Sequence, residues 1–352
     1  MTNFSEYVEA CMKHLESKQS ENKPYYEEIN KEYIYKSMKD INIVLEEACN
    51  NKLITQDEYK AMNTEGKNVC KFYANFKVHK EHNHGELPEI RPIVSGSGSF
   101  LENVALYVEH HVKHEATKHT SRLKDTPDFL RKLEELKQKG PLPKNAMVVV
   151  TDVSALFTNI LRKEGLQTTR EALNERANPE VPTEFIIRLL NLLLKNNIFE
   201  FNERTYRQCI GAAMGYRPIH PYADIFMARK IDQQFEILAN KYGTLEFFKR
   251  FLDDLFSIFT GTTNELHKVI DELNKIHPTK QFTTKHTTPK EEAKEDNCNC
   301  EKTNYVPFLD TLVTIEGGTI DNLKEKNIEK YFKGKKIFFF KKIFIYLKIK
   351  RD

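Results

Sequence analysis

Phe247-Phe248-Lys249-Arg250-Phe251-Leu252-Asp253-Asp254-Leu255-Phe256-Ser257-Ile258-Phe259 is the stretch whose reading decides the fold. Two apolar segments, Phe247 to Leu252 and Leu255 to Phe259, are separated only by Asp253-Asp254, which predicts a β-hairpin with the acidic pair at its turn. A two-residue hairpin turn ordinarily takes Asn-Gly, Asp-Gly or Gly-Gly, because its central residues need positive φ angles that small residues bear at least cost. Adjacent carboxylates also repel and raise each other's pKa, so an Asp-Asp turn destabilises the fold unless a cation sits there. Such a conflict between local preference and composition points to function. The plain alternative is a solvated turn, which an isolated Asp-Asp does not exclude.

A hard divalent cation takes oxygen ligands, and nucleotidyl transfer employs two such ions about 3.5–4 Å apart. A third carboxylate delivered by a neighbouring strand would complete the cage. The run Ala146-Met147-Val148-Val149-Val150 is β-branched and apolar on every side, as a strand buried on both faces requires, and it delivers Asp152 at its end. Asp152, Asp253 and Asp254 are therefore the candidate catalytic residues and metal ligands. The expected cofactor is Mg²⁺ as two ions, with Mn²⁺ as a substitute.

The 352 residues are 39% hydrophobic, enough to bury a substantial core, and their number fits one large or two modest domains. A formal net charge of +3 is too small to mark a nucleic-acid binder unless the cations cluster on one surface. Six cysteines without framework spacing, and no leader ahead of them, predict reduced thiols and a nuclear or cytoplasmic protein that is not secreted. The most apolar run, Phe185 to Leu194, is broken by Arg188 and Asn191 and falls short of the roughly 20 residues of a bilayer span, so no membrane helix is expected.

Outward from the hairpin, Ile225, Ala228, Ile231, Phe235 and Leu238 recur at the spacing of an amphipathic helix. Phe199 to Ile210 predicts a strand, and two helical stretches precede it, the second starting near Pro182. Leu101 to Lys139 carries helical patterning that Gly140-Pro141-Leu142-Pro143 closes. Pro92 and Gly96 keep the preceding segment out of helix, and residues 1–70 read as a small helical region through Ile41, Leu45 and Cys49. Downstream, Thr287 to Asn304 predicts a loop, and Val306 to Ile315 a strand before a Gly317-Gly318 turn. Residues 322–352 are almost wholly Lys, Ile, Phe, Asn and Glu, the bias of translated AT-rich DNA, and a truncated or run-on terminus is expected there.

The order and wording of these segments resemble the reverse transcriptases, the Penelope-like retroelement branch in particular, from about Tyr7 to Asp321. Thr151-Asp152-Val153-Ser154-Ala155-Leu156-Phe157 is similar to the first catalytic motif, and Phe251-Leu252-Asp253-Asp254 to the aromatic-x-Asp-Asp hairpin. Gln208-Cys209-Ile210-Gly211-Ala212-Ala213-Met214-Gly215 with Tyr222-Ala223-Asp224 resembles the motif that positions template and nucleotide. Lys77-Val78-His79-Lys80 and Arg91-Pro92-Ile93-Val94-Ser95 resemble the fingers motifs, His277-Pro278-Thr279 through Phe282 the segment after the hairpin, and Pro307-Phe308-Leu309-Asp310 the primer-grip strand.

The resemblance implies an α+β fold, the right-hand polymerase palm of antiparallel sheet backed by helices, with helical fingers and a thumb incomplete or absent. Fingers would come from about 71–144 and 161–197, palm from about 145–160 and 198–321. It implies an RNA template, a DNA primer and deoxynucleoside triphosphates as partners. Lys77 and Arg91 would hold the triphosphate, and Phe157 would contact the incoming sugar and exclude a 2′-hydroxyl. Gln208, Gly211, Met214 and Gly215 would line the nucleotide site, where glycine suits a backbone lying close to a ligand.

The chain departs from the family at His220, where proline is usual, at Tyr216 and Ile219, where small or polar residues stand, and at Gln281, where a lysine able to protonate pyrophosphate would fall. No thumb or GIY-YIG endonuclease is legible after Asp321. Two functions stay open: an RNA-directed DNA polymerase of a retrotransposon, and a catalytically inactive nucleic-acid-binding remnant of one. A metal-dependent nuclease ranks third for want of a further His or Glu cluster. Cys298 and Cys300 lack a second pair and read as loop thiols. The histidines at 79, 82 and 84 and at 110, 111 and 114 read as solvated or core side chains.

Overall fold

The Ala146–Val153 strand lies between Asp254–Thr260 and Phe282–His286 and is hydrogen-bonded to both. Every residue from Ala146 to Thr151 is buried, as the unbroken β-branched run predicts for a strand covered on two faces. The structure is a computed structural model and describes residues 4–18, 23–77, 87–276, 281–287, 301–316 and 318–324. The basic segment after Lys77, the motif at 277–280, Cys298, Cys300 and the 325–352 tail lie outside the described residues.

In chain order the elements are α1 (Phe4–Leu15), β1 (Tyr26–Glu28), α2 (Lys31–Asn50), α3 (Gln56–Met62), β2 (Cys70–Phe76), β3 (Ile90–Ser95), α4 (Glu102–Thr117), α5 (Thr126–Lys137), β4 (Ala146–Val153), α6 (Leu156–Asn159), α7 (Arg162–Asn174) and α8 (Thr183–Lys195). After these come β5 (Ile198–Phe201), β6 (Arg204–Gln208), α9 (Ile219–Phe226), a π-helical turn (Met227–Asp232), α10 (Gln233–Tyr242), β7 (Thr244–Phe251), β8 (Asp254–Thr260), α11 (Thr263–Ile276), β9 (Phe282–His286), β10 (Glu301–Lys302), β11 (Val306–Phe308), β12 (Thr311–Glu316) and β13 (Thr319–Lys324). They form two units, one drawn from Met1–Lys118 and Phe157–Phe226, the other from His119–Leu156 and Met227–Asp352. Residues 119–144 thus fold with β4, and residues 198–226 with the N-terminal helices.

In the first unit a five-stranded sheet runs β1-β6-β5-β2-β3. β2 alternates buried and exposed from Cys70 to Asn75, the period of two that gives a strand one core face. On that face Phe199 packs against Phe72, Tyr26 and Tyr206 with ring centroids 5.2 to 6.0 Å away. α8 begins just after Pro182 and buries Phe185, Ile186, Ile187, Leu189, Leu190, Leu193 and Leu194, because α2, α4 and α7 all pack against it.

The second unit holds the sheet β10-β9-β4-β8-β7, antiparallel throughout except where β10 joins β9. Val148, Val150, Phe256 and Ile258 point to one face, where Phe129 and Leu133 of α5 and Phe308, Val313 and Ile320 of the three-stranded β11-β12-β13 sheet close a core. Phe248 stands opposite Ser257 and so points to the other face, where Phe235 of α10 stacks on it at 5.0 Å. This is an α+β unit of antiparallel sheet backed by helices. Among the described residues no helix is long and apolar enough to cross a membrane, and Cys11, Cys49, Cys70 and Cys209 are free thiols.

Several segments depart from the sequence reading for identifiable reasons. Phe199 to Ile210 is a hairpin, not one strand: Asn202 and Glu203 both take positive φ (48° and 63°), the requirement of a tight two-residue turn, without the glycine that would announce it. Val306 to Ile315 likewise folds back at Leu309-Asp310. The helix over Leu101 to Lys139 breaks after Thr117 because Ser121 and Leu123 leave it to hydrogen-bond Arg250 on the outer edge of β7. The amphipathic helix around Ile231 includes a π-helical turn that i, i+3, i+4 counting does not register.

Candidate active site

The register of β4 on β8 sets Thr151 opposite Leu255 and Asp152 opposite Asp254. Directly opposed residues share a face with Cβ atoms about 4.5–5.5 Å apart, and like charges so placed destabilise the pair. Asp152 is exposed at the end of its strand, whereas Asp254 is partly buried. Burial first, then Asp253 and Asp152, push the Asp254 carboxyl up to about 7.

The hairpin turn falls one residue earlier than the sequence suggests. Phe251 pairs with Asp254, so the turn residues are Leu252 and Asp253, and Leu252 carries the positive φ, at 54°. The Asp253 carbonyl accepts a hydrogen bond from the Val153 N–H at 3.3 Å, tying the turn to the end of β4. A left-handed leucine costs about 1–2 kcal/mol. Even so, the same turn occurs again: Phe308 pairs with Thr311, and Leu309 takes φ 50° ahead of Asp310, which accepts a hydrogen bond from Thr126 Oγ1 at 2.9 Å. Phe-Leu-Asp therefore folds this way twice, and an aspartate in the turn does not by itself mark a site. The residue that local preference leaves unexplained is Asp254, a carboxylate in a strand facing another carboxylate.

Among the described residues no three or more His, Cys, Asp or Glu side chains are drawn together as a ready metal cage. The donor set nonetheless suits a hard cation. It is all oxygen, with two carboxylates opposed across strands, a third in the adjoining turn, and a raised pKa that a nearby positive charge would lower.

A buried polar network adjoins the turn, and the sequence reading missed it. Arg250, fully buried on β7, donates through Nε to both carboxylate oxygens of Asp232 at 3.0 Å and through Nη1 to the Leu252 carbonyl at 2.6 Å. Ser121 Oγ donates to Asp232 Oδ2 at 2.6 Å, and the Ser121 carbonyl accepts the Arg250 backbone N–H at 2.7 Å. Burial pushes the Asp232 carboxyl upward, while Arg250 and Ser121 draw it back. The available signal was a charge inside each apolar pattern: Arg250 within Phe247–Phe251 and Asp232 between Ile231 and Phe235.

The candidate nucleotide-binding residues all belong to the first unit. Asn75 pairs with Arg91, and the Lys77 N–H donates to the Glu89 carbonyl, so the period of two puts Lys77, Glu89 and Arg91 on one face. There Lys77 Nζ meets Glu89 at 3.1 Å, and Arg91 is exposed. Phe157 is buried and meets the ring of His220 edge-on at 5.3 Å. Its carbonyl accepts the Ala212 N–H, which brings the Gly211 turn against the segment after Phe157.

Gly211 and Gly215 have φ 70° and 114°, and a Cβ there would stand 2.5 Å from the Thr158 Cα and 2.2 Å from the Val94 carbonyl oxygen. The close approach that demands glycine is thus to the protein's own backbone. Met214 is tied to the same strand, its carbonyl accepting the Val94 N–H at 2.7 Å, while the Gln208 side chain folds back onto the Ile210 carbonyl at 2.7 Å. Tyr216 is buried with its hydroxyl 2.9 Å from Cys70 Sγ.

An antiparallel sheet with an acidic hairpin, backed by helices, is the palm fold of nucleic-acid polymerases, the kind reverse transcriptases carry. Among solved structures, the chain is similar to the apo telomerase of Candida tropicalis, at 12% identity and a TM-score of 0.51, over 74% of this chain and 49% of that one. It is likewise similar to the telomerase of Candida albicans in complex with a TWJ fragment of telomeric RNA, at 9% identity and a TM-score of 0.50, over 72% of this chain and 46% of that one. The chain spans about half the length of these telomerases. No family model matches the chain, and no curated protein matches it by sequence.

Proposed function

We propose that this chain is the core of a reverse transcriptase of the Penelope-like retroelement kind, an RNA-directed DNA polymerase that extends a DNA primer on an RNA template from deoxynucleoside triphosphates. The observation that carries the proposal is the strand register that opposes Asp152 and Asp254 beside Asp253 at the end of a palm sheet. Retaining two like charges across a strand pair costs stability that a structural role does not repay. The three carboxylates would hold two Mg²⁺ ions. The chemistry supplied by those ions when bound is activation of the primer 3′-oxygen and stabilisation of the leaving pyrophosphate.

In the same reading, Lys77 and Arg91, on one face of the β2–β3 pair, bind the triphosphate, the first as a point charge and the second as a planar fork. Phe157, with Gln208, Gly211, Met214 and Gly215, borders the sugar and base. Work on a retroelement RNA would place the protein in nucleus or cytoplasm.

Primer extension on an RNA template, with and without Mg²⁺, tests the proposal. Extension by the wild type should fall in Asp253→Asn by more than the roughly 10–100-fold that loss of an outer-shell partner costs a metal site. Equal extension by both proteins refutes it. A second reading, a nucleic-acid-binding remnant without activity, draws on His220, which packs on Phe157 where the family carries proline. Silence in both proteins with duplex binding intact decides for that reading.

A further inference from the structure

The Arg250–Asp232–Ser121 network demands a reason. A buried ion pair is weak evidence for stability, because desolvating two charges can exceed their mutual attraction, and apolar replacements are often neutral or better. Nor does the turn need it. Leu309-Asp310 makes the same two-residue turn with Leu309 at positive φ, and Pro307 stands there at the position of Arg250, with no side-chain donor to offer. What Arg250 adds is its second arm. Nε holds Asp232 while Nη1 holds the Leu252 carbonyl, and that carbonyl belongs to the peptide joining the two turn residues. The orientation of this peptide plane distinguishes the tight-turn types, since flipping it changes ψ of Leu252 and φ of Asp253 together. Holding the carbonyl sets the direction in which Asp253 leaves the turn and the start of β8 at Asp254.

We infer that Arg250, anchored by Asp232 and Ser121, is a positioning residue for the acidic site: it fixes the Leu252–Asp253 peptide plane and so places Asp253 and Asp254 against Asp152. The inference rests on the reading of these three carboxylates as a divalent-cation site. Arg250 acts on the site through the Leu252 carbonyl, as an outer-shell partner acts through a ligand.

The test measures Mn²⁺ binding to the full chain by the electron paramagnetic resonance of free Mn²⁺, with thermal unfolding and template-primer binding followed alongside. Arg250→Lys keeps a cation for Asp232 but loses the planar fork whose Nε and Nη1 hold Asp232 and the Leu252 carbonyl at once. It should weaken Mn²⁺ binding by about 10-fold or more, while duplex affinity is unchanged. The double variant Arg250→Met with Asp232→Leu removes both charges for apolar groups of similar size, so the fold survives, and it should show the same weakening. Asp152→Asn is the reference that loses the cation. Wild-type Mn²⁺ affinity in both Arg250→Lys and the double variant, with loss in Asp152→Asn, overturns the positioning role and leaves the polymerase reading standing. No Mn²⁺ binding by the wild type, or undiminished binding in Asp152→Asn, overturns both.

Discussion

Replacing Asp254 with asparagine removes one of two opposed charges while keeping the side chain's shape, and the structure fixes the sign of the resulting change in stability. Burial, then Asp253 and Asp152, push the carboxyl from its ordinary 3.8 up to about 7, so the folded state holds the proton more tightly than the unfolded chain does. The stabilising contribution of that proton is fully present below pH 3.8 and is lost as pH rises through about 7. A gap of about three pKa units, at 1.36 kcal/mol each, sets a ceiling of about 4 kcal/mol, and solvent reaching a partly buried group reduces it to about 2 kcal/mol. Urea unfolding followed by circular dichroism in the presence of a chelator reads this directly. At about pH 8 the Asp254→Asn protein should be more stable than the wild type by about 2 kcal/mol, and the difference should close toward about pH 4. Added Mg²⁺ should raise the wild type and leave the variant behind, because a ligand that binds only the folded state stabilises it by mass action. A variant less stable than the wild type at high pH, or a gap that does not change with pH, would refute the electrostatic argument.

Two further outcomes come from backbone geometry. Gly215→Ala forces a side chain into φ 114° and onto the Val94 carbonyl oxygen 2.2 Å away, and should lower stability by about 3 kcal/mol or more, read as a fall in melting temperature; an unchanged melting temperature would contradict the packing described. Glu203→Gly relieves the positive φ of 63° in the β5–β6 turn and should raise stability by about 0.5–1 kcal/mol net of the entropy that glycine adds to the unfolded chain; destabilisation in urea titration would show that the turn is not strained.

How much of this was legible in the sequence depended on whether the signal was local. The two-face burial of β4 follows from Ala146 to Val150 alone, and the β7–β8 hairpin from two apolar runs around an acidic pair. The turn falls one residue earlier than the sequence suggests because leucine gives no warning of a left-handed conformation, and at Asn202-Glu203 the asparagine hints at a turn while Glu203, in place of the usual glycine, conceals it. The three carboxylates could be named from their positions at strand ends. That Asp152 faces Asp254 could not, because it depends on the register of two strands about a hundred residues apart, which only the packing of both faces determines. Arg250 and Asp232 were invisible as partners, since each sits in an apolar pattern that reads as core.

β4 is hydrogen-bonded along both edges, to β8 on one side and β9 on the other. A shift of this strand by a single position would have to drag both neighbours with it and would exchange Asp152 for Thr151 or Val153 opposite Asp254. A one-residue insertion or deletion within β4 would therefore break the opposition of Asp152 and Asp254 in a single step, whatever the side chains around it.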